Sequence, residues 1–187
     1  MDLVQQALVT AYDIYKEGTR KGGNYPYLVH ILDVAKYVMY ETTNPEVIAA
    51  ALLHDSIEDT AYTQEQLKED FPEKVVQLVL FCTEPENRPD KTQSQQEESW
   101  KRRKEHSIEN LTNATKEELL VFVSDKVANL LSIHEDLLHG TDVFALFNAS
   151  KQEVQWYYEE VYKEAQKELA DTRLLSVYKH LLKEVFE

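Results

Sequence analysis

Residues Pro45–Asp55 form the stretch PEVIAAALLHD, which decides the fold of this chain. Seven apolar residues follow one another in Val47–Leu53, so no face of a helix built from them is polar. Asn44 is a favourable N-cap, and the proline behind it suits the first helical turn. Because a helix that is apolar all round belongs inside a domain, we expect this one at the centre of an all-α protein. Two polar residues, His54 and Asp55, end the stretch.

Helical patterns continue on both sides of this central helix. Apolar residues recur at three- and four-residue steps near the N-terminus, and capping boxes begin at Thr63 and Thr115. No alternation of strands and helices is visible, and four glycines and five prolines are too few for a turn-rich sandwich or barrel. The segment Thr83–Gln95, TEPENRPDKTQSQ, is the longest predicted loop. Predicted helices end near Gly18, Tyr40, Leu80, Leu111 and Gly140, and two more span about Lys151–Leu169 and Thr172–Phe186.

Composition limits the classes of function that are open to the chain. Its 187 residues suit one domain, residues 1–187, and a net charge of −14 disfavours binding to DNA or RNA polymers. The single cysteine, Cys82, excludes an intramolecular disulfide and a cysteine-based zinc cage. Neither a signal peptide nor a membrane span is apparent, so we expect a cytoplasmic protein.

Three short segments place histidines and carboxylates where core residues would be expected. They are Tyr27–His30, His54–Asp59 and Asp125–Asn129. A buried ionised carboxylate is costly unless it is paired or binds a metal. Imidazole and carboxylate ligands without thiolates suit a divalent transition ion such as Mn, Fe or Zn. The sequence therefore indicates a metal site that involves residues of all three segments.

Additional polar residues follow two of these candidate ligands at helical spacing. Glu58 and Asp59 stand three and four residues beyond Asp55, close enough to line the same cavity. Two carboxylates beside a metal could activate water or protonate a leaving group. Asn129 lies one turn after Asp125 on the same helix face, so one of the two could bind metal while the other steers a ligand.

Four segments occur in an order that is specific to one protein family. They are TRKGGNYPYLVHILDVA from Thr19, AALLHDSIEDT from Ala50, SWKRRKEH from Ser99 and VSDKVANL from Val123, with a looser match in FNASKQEVQWYYEEV from Phe147. With them the chain resembles the HD-domain metal-dependent phosphohydrolases, and among these the RelA/SpoT-type alarmone hydrolases, which include small single-domain members. The resemblance covers about residues 10–165, and it implies an all-α bundle of the HD type.

The resemblance implies a reaction and a set of metal ligands. The implied reaction is hydrolysis of the 3′-pyrophosphate of guanosine tetraphosphate or pentaphosphate (ppGpp or pppGpp), which yields GDP or GTP and pyrophosphate. Manganese is the usual ion, and the Glu-Asp pair of such hydrolases matches Glu58 and Asp59. The implied metal ligands are His30, His54, Asp55 and Asp125.

Basic and polar residues are candidates for holding the substrate. By resemblance, Arg20 and Lys21 meet the base and phosphates, and Asn129 helps to seat the nucleotide. On an acidic protein, a polyphosphate needs local positive charge. The basic run Arg102–Lys104 could be a solvated helix face or could bind phosphate. If it binds phosphate, we expect Arg103 to be the ligand. Further candidates are Lys151 for the phosphates and Tyr157 for the ribose or phosphates.

Departures from the family pattern keep other functions open. Ala128 replaces a histidine, and Phe122 and Val123 occupy a stretch where a basic residue is common. The substrate could therefore be another nucleotide, such as an adenine alarmone or a reduced dinucleotide phosphate. The chain could also be a non-catalytic nucleotide-binding regulatory module. The expected partner is a small nucleotide polyphosphate, and not a nucleic-acid polymer or a membrane. Homo-oligomerisation and pairing with an alarmone synthetase are left open.

Overall fold

The computed structural model describes the backbone of residues 1–20, 25–84 and 93–187, and their side chains except those of 93–98. Within this part of the chain the regular structure is helical, and a β-bridge joins Thr19 to Pro26. The all-α prediction is confirmed. The helices are α1 Leu3–Tyr15, α2 Tyr27–Glu41, α3 Pro45–Leu53, α4 Ser56–Asp59, α5 Gln64–Asp70, α6 Glu73–Cys82, α7 Gln93–Leu111, α8 Lys116–Leu138, α9 Lys151–Leu169 and α10 Arg173–Phe186, with a 3₁₀ turn at Val143–Leu146.

Local sequence signals set several helix ends. The capping boxes predicted at Thr63 and Thr115 are formed, and Ser150 forms another at the start of α9. Gly140 follows α8 with a φ of 78°, a left-handed conformation that glycine adopts without a steric penalty. The predicted end of α8 is therefore confirmed.

The central helix α3 is buried as predicted. Every residue of Val47–Leu53 is buried, and α3 packs against α1, α2, α6 and α8. The helix then breaks at Asp55, whose φ of −96° and ψ of 4° are not helical, and α4 starts at Ser56. His54 and Asp55 therefore lie in the short non-helical junction between α3 and α4, directly after the buried helix α3.

Two hydrophobic clusters meet along α8. The first gathers residues of α1, α2, α3, α5 and α6, and Val121 and Ala128 of α8 belong to it. The second gathers residues of α7, α9 and α10 with the opposite side of α8, including Val123 and Leu130. Asp125 stands one turn after Val121 and one turn before Ala128, so it lies on the side of α8 that faces the first cluster.

Two details differ from the expected helix boundaries. Helix α7 begins at Gln93, inside the segment predicted as a loop, and residues 85–92 of that loop lie outside the described part. Glu58 and Asp59, which follow Asp55 at helical spacing in the sequence, lie on a separate short helix, α4. Within the described residues, no helix combines the length and the apolar character that a membrane crossing requires.

Candidate functional site

Four side chains from three places in the fold converge in one cluster. His30 comes from α2, His54 and Asp55 from the break between α3 and α4, and Asp125 from the middle of α8. One potential ligand atom of each lies within 4.8 Å of those of the others. His30 Nε2 is 3.3 Å from Asp125 Oδ1, and His54 Nε2 is 3.0 Å from Asp55 Oδ2. The structure thus brings together all four predicted metal ligands.

The two histidines present free ring nitrogens to this cluster. The Nδ1 of His54 lies 2.9 Å from the carbonyl oxygen of Ala51. An Nδ1–H that donates to this carbonyl leaves Nε2 as the nitrogen that faces the cluster, where a bound cation would take the place of its proton. The Nε2 atoms of His30 and His54 are buried, and neither has a hydrogen-bond partner among the described residues. Two such nitrogens beside two carboxylates fit a divalent transition ion.

Neighbouring groups keep the two carboxylates of the cluster ionised. Asn129 Nδ2 donates to Asp125 Oδ1 at 2.6 Å, and Lys126 Nζ donates to Asp125 Oδ2 at 2.5 Å. Burial alone would raise the pKa of Asp125, but Lys126 and the two histidines hold it well below its usual range. In the same way, burial would raise the pKa of Asp55, and His54 outweighs this effect and lowers it. Both groups are therefore in the form that binds cations.

The two predicted acids lie on α4 and face different spaces. Glu58 lines a small cavity together with His54, Asp55 and Asp125. Asp59 lines a larger cavity next to it, and the hydroxyl of Tyr27 lies 2.7 Å from Asp59 Oδ2. Burial raises the pKa of Asp59, and the nearby Asp55 carboxylate raises it further. An acid with a raised pKa can keep a proton and deliver it to a leaving group.

The small cavity combines charges of both signs. Its volume is about 180 Å³, and it contains one edge of the four-residue cluster. Among the described residues, its charged lining comprises four cations and four carboxylates, a composition suited to a divalent ion and a phosphate side by side. The cations are Arg20, Arg103, Lys104 and Lys126, and the carboxylates are those of Asp55, Glu58, Glu84 and Asp125.

The larger cavity is of a size that holds a nucleotide. Its volume is about 760 Å³, within the usual range of ligand pockets. Apolar residues such as Trp100, Ile133 and Phe147 line part of it, and Ser132 and Asp136 add polar groups. The two cavities share a wall, so one ligand could extend from one into the other. The shared residues are Arg20, Tyr27, Lys104, Lys126 and Asn129.

Three of the predicted substrate ligands lie in the shared wall or beside it. Arg20 Nη2 donates to Asn129 Oδ1 at 2.6 Å, and the Arg20 guanidinium lies 5.5 Å from the centroid of the Tyr27 ring. Asn129 therefore connects Arg20 to Asp125. Arg103 lines the small cavity, where its Nη1 donates to Glu84 Oε2 at 2.9 Å.

The other three predicted substrate ligands have different surroundings. Tyr157 is buried and lines the large cavity, edge-on to Trp100. Lys151 is exposed on the first turn of α9 and is not among the described residues that line either cavity; its Nζ lies 5.3 Å from the centroid of the Phe144 ring. Lys21 lies outside the residues that the structure describes.

The three residues of the basic run on α7 differ in their exposure to solvent. Arg102 is exposed, as a solvated helix face would require. The side chains of Arg103 and Lys104 are only 10% and 17% exposed, and both point to Glu84. A single basic run therefore contributes both to the protein surface and to the site.

The departures from the family pattern have clear positions. Ala128 is buried in the first hydrophobic cluster and does not line either cavity in the described structure. Phe122 lines the small cavity, and Lys126 Nζ lies 4.6 Å from the centroid of its ring. Lys126 therefore packs against the aromatic ring that stands in this stretch.

Sequence reasoning assigned no role to several residues of the site. The Tyr27 hydroxyl lies 2.5 Å from Asp55 Oδ2, and Tyr27 stands one helical turn before His30, a spacing that could have signalled it. Lys126 is next to Asp125 in an apolar helix, which is unusual for a surface lysine. Glu84 lies in a predicted loop, and no pattern in the sequence distinguishes it.

Comparisons with known proteins find relatives of this chain. A family model described as HD domain matches residues 7–155. Guanosine-3′,5′-bis(diphosphate) 3′-pyrophosphohydrolase of Haemophilus influenzae is 44% identical over 63 residues, covering 34% of this chain and 9% of that protein. The Xenopus tropicalis protein of that name, MESH1, is 31% identical over 160 residues, covering 84% of this chain and 79% of that protein. The chain thus spans most of the Xenopus relative and less than a tenth of the Haemophilus one.

A solved structure has the same fold. It is that of a metazoan ortholog of SpoT, a protein described as hydrolysing ppGpp. The two chains align with a TM-score of 0.75 at 20% identity, covering 98% of this chain and 96% of the other. The helical arrangement is therefore shared over nearly the whole chain.

Proposed function

Since the chain belongs to the HD domain family, we propose that it is a metal-dependent phosphohydrolase that removes the 3′-pyrophosphate of guanosine tetraphosphate or pentaphosphate. The products are pyrophosphate and GDP or GTP. One observation carries the proposal: three members of the four-residue cluster, His54, Asp55 and Asp125, line a cation-rich cavity with Glu58. This cavity shares a wall with a second one of a size that holds a nucleotide. The names of the Haemophilus and Xenopus relatives support the choice of substrate.

His30, His54, Asp55 and Asp125 would hold the ion. We propose Mn²⁺, because nitrogen and oxygen ligands without thiolates suit it. When bound, such an ion supplies Lewis acidity, lowering the pKa of water and polarising a phosphate oxygen. The orphaned Nε2 atoms of the two histidines support this ligand set.

The two acids of α4 have separate proton-transfer roles in this proposal. Glu58, in the small cavity, accepts a proton from the attacking water. The water oxygen forms a bond to the phosphorus next to the ribose O3′, and the bond from this phosphorus to O3′ breaks. Asp59, with its raised pKa and its position in the larger cavity, donates a proton to the departing O3′. This division follows from where each carboxyl group lies.

The cations orient the substrate. Arg103, Lys104 and Lys126 surround the small cavity and offset the charge of the 3′-pyrophosphate. The nucleoside and the 5′-phosphates lie in the larger cavity, against Arg20 and Tyr157.

We further propose that residues 1–187 act as one domain, since α8 contributes to both hydrophobic clusters. We also propose that the protein works in the cytoplasm.

The deciding experiment uses the Mn²⁺-loaded protein with ppGpp, its adenine counterpart and NADPH as separate substrates. We expect pyrophosphate and GDP from ppGpp, with the highest kcat/KM of the three. Glu58→Gln and Asp59→Asn should abolish turnover while Mn²⁺ binding, measured by calorimetry, is retained. A preference for either of the other nucleotides would replace the substrate assignment. Tight ppGpp binding without hydrolysis of any substrate would indicate a nucleotide-binding module instead.

A further inference from the structure

Glu84 links groups that belong to different parts of the site. It follows α6, and its side chain is 15% exposed. Its carboxylate accepts hydrogen bonds from Arg103 Nη1 at 2.9 Å and from Lys104 Nζ at 2.6 Å. Its backbone N–H donates a hydrogen bond to Glu58 Oε1. One residue thus contacts two cations of α7, Arg103 and Lys104, and one acid of α4, Glu58.

Of the carboxylates that line the small cavity, Glu84 has neither a place in the metal cluster nor a proposed role in proton transfer. Of the four carboxylates in the lining of this cavity, Asp55 and Asp125 belong to the metal cluster, and Glu58 is the proposed base. Glu84 points toward the cations instead, and the charge of Lys126 also stabilises its ionised form. Burial would raise the pKa of Glu84, but Lys104, Lys126 and Arg103 lower it, so it is an anion at neutral pH.

We propose that Glu84 is a positioning residue that holds Arg103 and Lys104 in place for the 3′-pyrophosphate and fixes the carboxylate of Glu58 through its backbone N–H. This inference rests on the proposed function. Arg and Lys side chains have many rotamers, and ordering them before the substrate arrives avoids that entropic cost during binding. A carboxylate that is oriented by a hydrogen bond acts as a base in one defined direction.

Lys104 depends on Glu84 for its charge. Burial lowers the pKa of Lys104, Glu84 raises it, and Lys126 and Arg103 lower it again. Its Nζ also lies 4.9 Å from the centroid of the Tyr157 ring. Removal of the Glu84 carboxylate would therefore lower the pKa of Lys104 further, so that it would lose its proton at a lower pH.

The backbone contact can be tested separately from the carboxylate. Glu84→Ala removes the carboxylate and keeps the N–H, whereas Glu84→Pro removes both. The residue before this position accepts a following proline, because Thr83 has an extended ψ of 124°. The difference between the two variants therefore reports the N–H bond to Glu58.

The experiment measures ppGpp hydrolysis by the Mn²⁺-loaded full chain and four variants. Glu84→Gln and Glu84→Ala should raise KM about tenfold and change kcat less than about threefold. Glu84→Pro should lower kcat about tenfold below Glu84→Ala at a similar KM. The matched control is Glu105→Gln on the exposed face of α7, which should behave as the wild type. Thermal unfolding of each variant checks that it is folded.

The pH profile gives a reading that a merely structural role would not change. The alkaline limb of kcat/KM should shift to lower pH in Glu84→Gln, because Lys104 loses its proton earlier. An unchanged or lower KM in both Glu84→Gln and Glu84→Ala would overturn the positioning of the cations. Equal kcat values in Glu84→Ala and a folded Glu84→Pro would overturn the role of the N–H. A wild-type protein that does not hydrolyse ppGpp contradicts the proposed function itself, so the two failures are distinguishable.

Discussion

The hydroxyl of Tyr27 lies 2.5 Å from Oδ2 of Asp55 and thereby connects a tyrosine of α2 to a member of the metal cluster. The same hydroxyl is 2.7 Å from Oδ2 of Asp59. A hydroxyl has one proton to donate, so both contacts can be hydrogen bonds only when one carboxyl group is protonated. Asp59, whose pKa is raised, is the group that takes up this proton. Tyr27 thus joins a cation ligand to the proposed acid.

Replacement of Tyr27 by phenylalanine removes this connection and keeps the ring that faces Arg20. We expect Tyr27→Phe to lower kcat about tenfold, since a hydrogen bond to a charged group is lost. The variant should remain folded. Steady-state kinetics with ppGpp checks this, with Tyr40→Phe, a change on the exposed side of α2, as the control. A kcat equal to that of the wild type would contradict the role of the hydroxyl.

Addition of Mn²⁺ should stabilise the folded protein. At a free ion concentration of about 100 times Kd, the gain in the free energy of unfolding is about 2.7 kcal/mol, because the ion binds the folded state alone. Thermal unfolding with and without Mn²⁺ measures it. His30→Ala should abolish this shift, whereas His106→Ala, a change at an exposed residue, should leave it intact. An equal shift in His30→Ala would place the ion elsewhere.

Lys126 and Asp125 form an ion pair at 2.5 Å, with side chains that are 14% and 11% exposed. We expect Lys126→Met to lower the free energy of unfolding of the metal-free protein by about 3 kcal/mol, because it leaves a buried carboxylate without its cation. Lys163, whose side chain is 61% exposed, pairs with Glu160 and is the matched control; Lys163→Met should lower the free energy of unfolding much less, because water screens an exposed pair. Urea denaturation measures both, and equal losses would show that burial does not strengthen the first pair.

Glu84 should make stability depend on pH on the acid side. Its pKa in the folded protein lies below the ordinary value of 4.5, so its contribution to stability is present above pH 4.5. That contribution is lost as the pH falls through the folded pKa. Urea denaturation of the wild type and of Glu84→Gln should therefore show a difference at neutral pH that shrinks in acid. A difference that grows in acid would contradict the lowered pKa.

Local patterns were sufficient to predict most of the fold. The uninterrupted apolar run of α3 indicated burial, and side chains at Thr63 and Thr115 indicated where helices begin, because caps act over three residues. The four residues of α4 are too few for a periodic pattern. The start of α7 at Gln93 was missed, since a run of glutamine, serine and glutamate carries no apolar stripe.

The site was only partly predictable. The order of the histidines and aspartates indicated the cluster, and the structure brings these four residues together. The contact between Glu58 and Glu84 joins positions 26 residues apart, and neither the residue types nor their spacing predicts it. Lys151 matched a chemical requirement for positive charge but is exposed, and it is not among the described residues that line either cavity. Charge type alone cannot tell which of several lysines faces inward.

The equal number of cations and carboxylates around the small cavity has a thermodynamic consequence. A divalent ion that binds Asp55 and Asp125 offsets two negative charges, so the four cations then outnumber the two remaining carboxylates, those of Glu58 and Glu84. The affinity for a polyphosphate then rises, and by reciprocity the polyphosphate raises the affinity for the ion by the same factor. Ion and nucleotide are thus expected to bind with positive cooperativity.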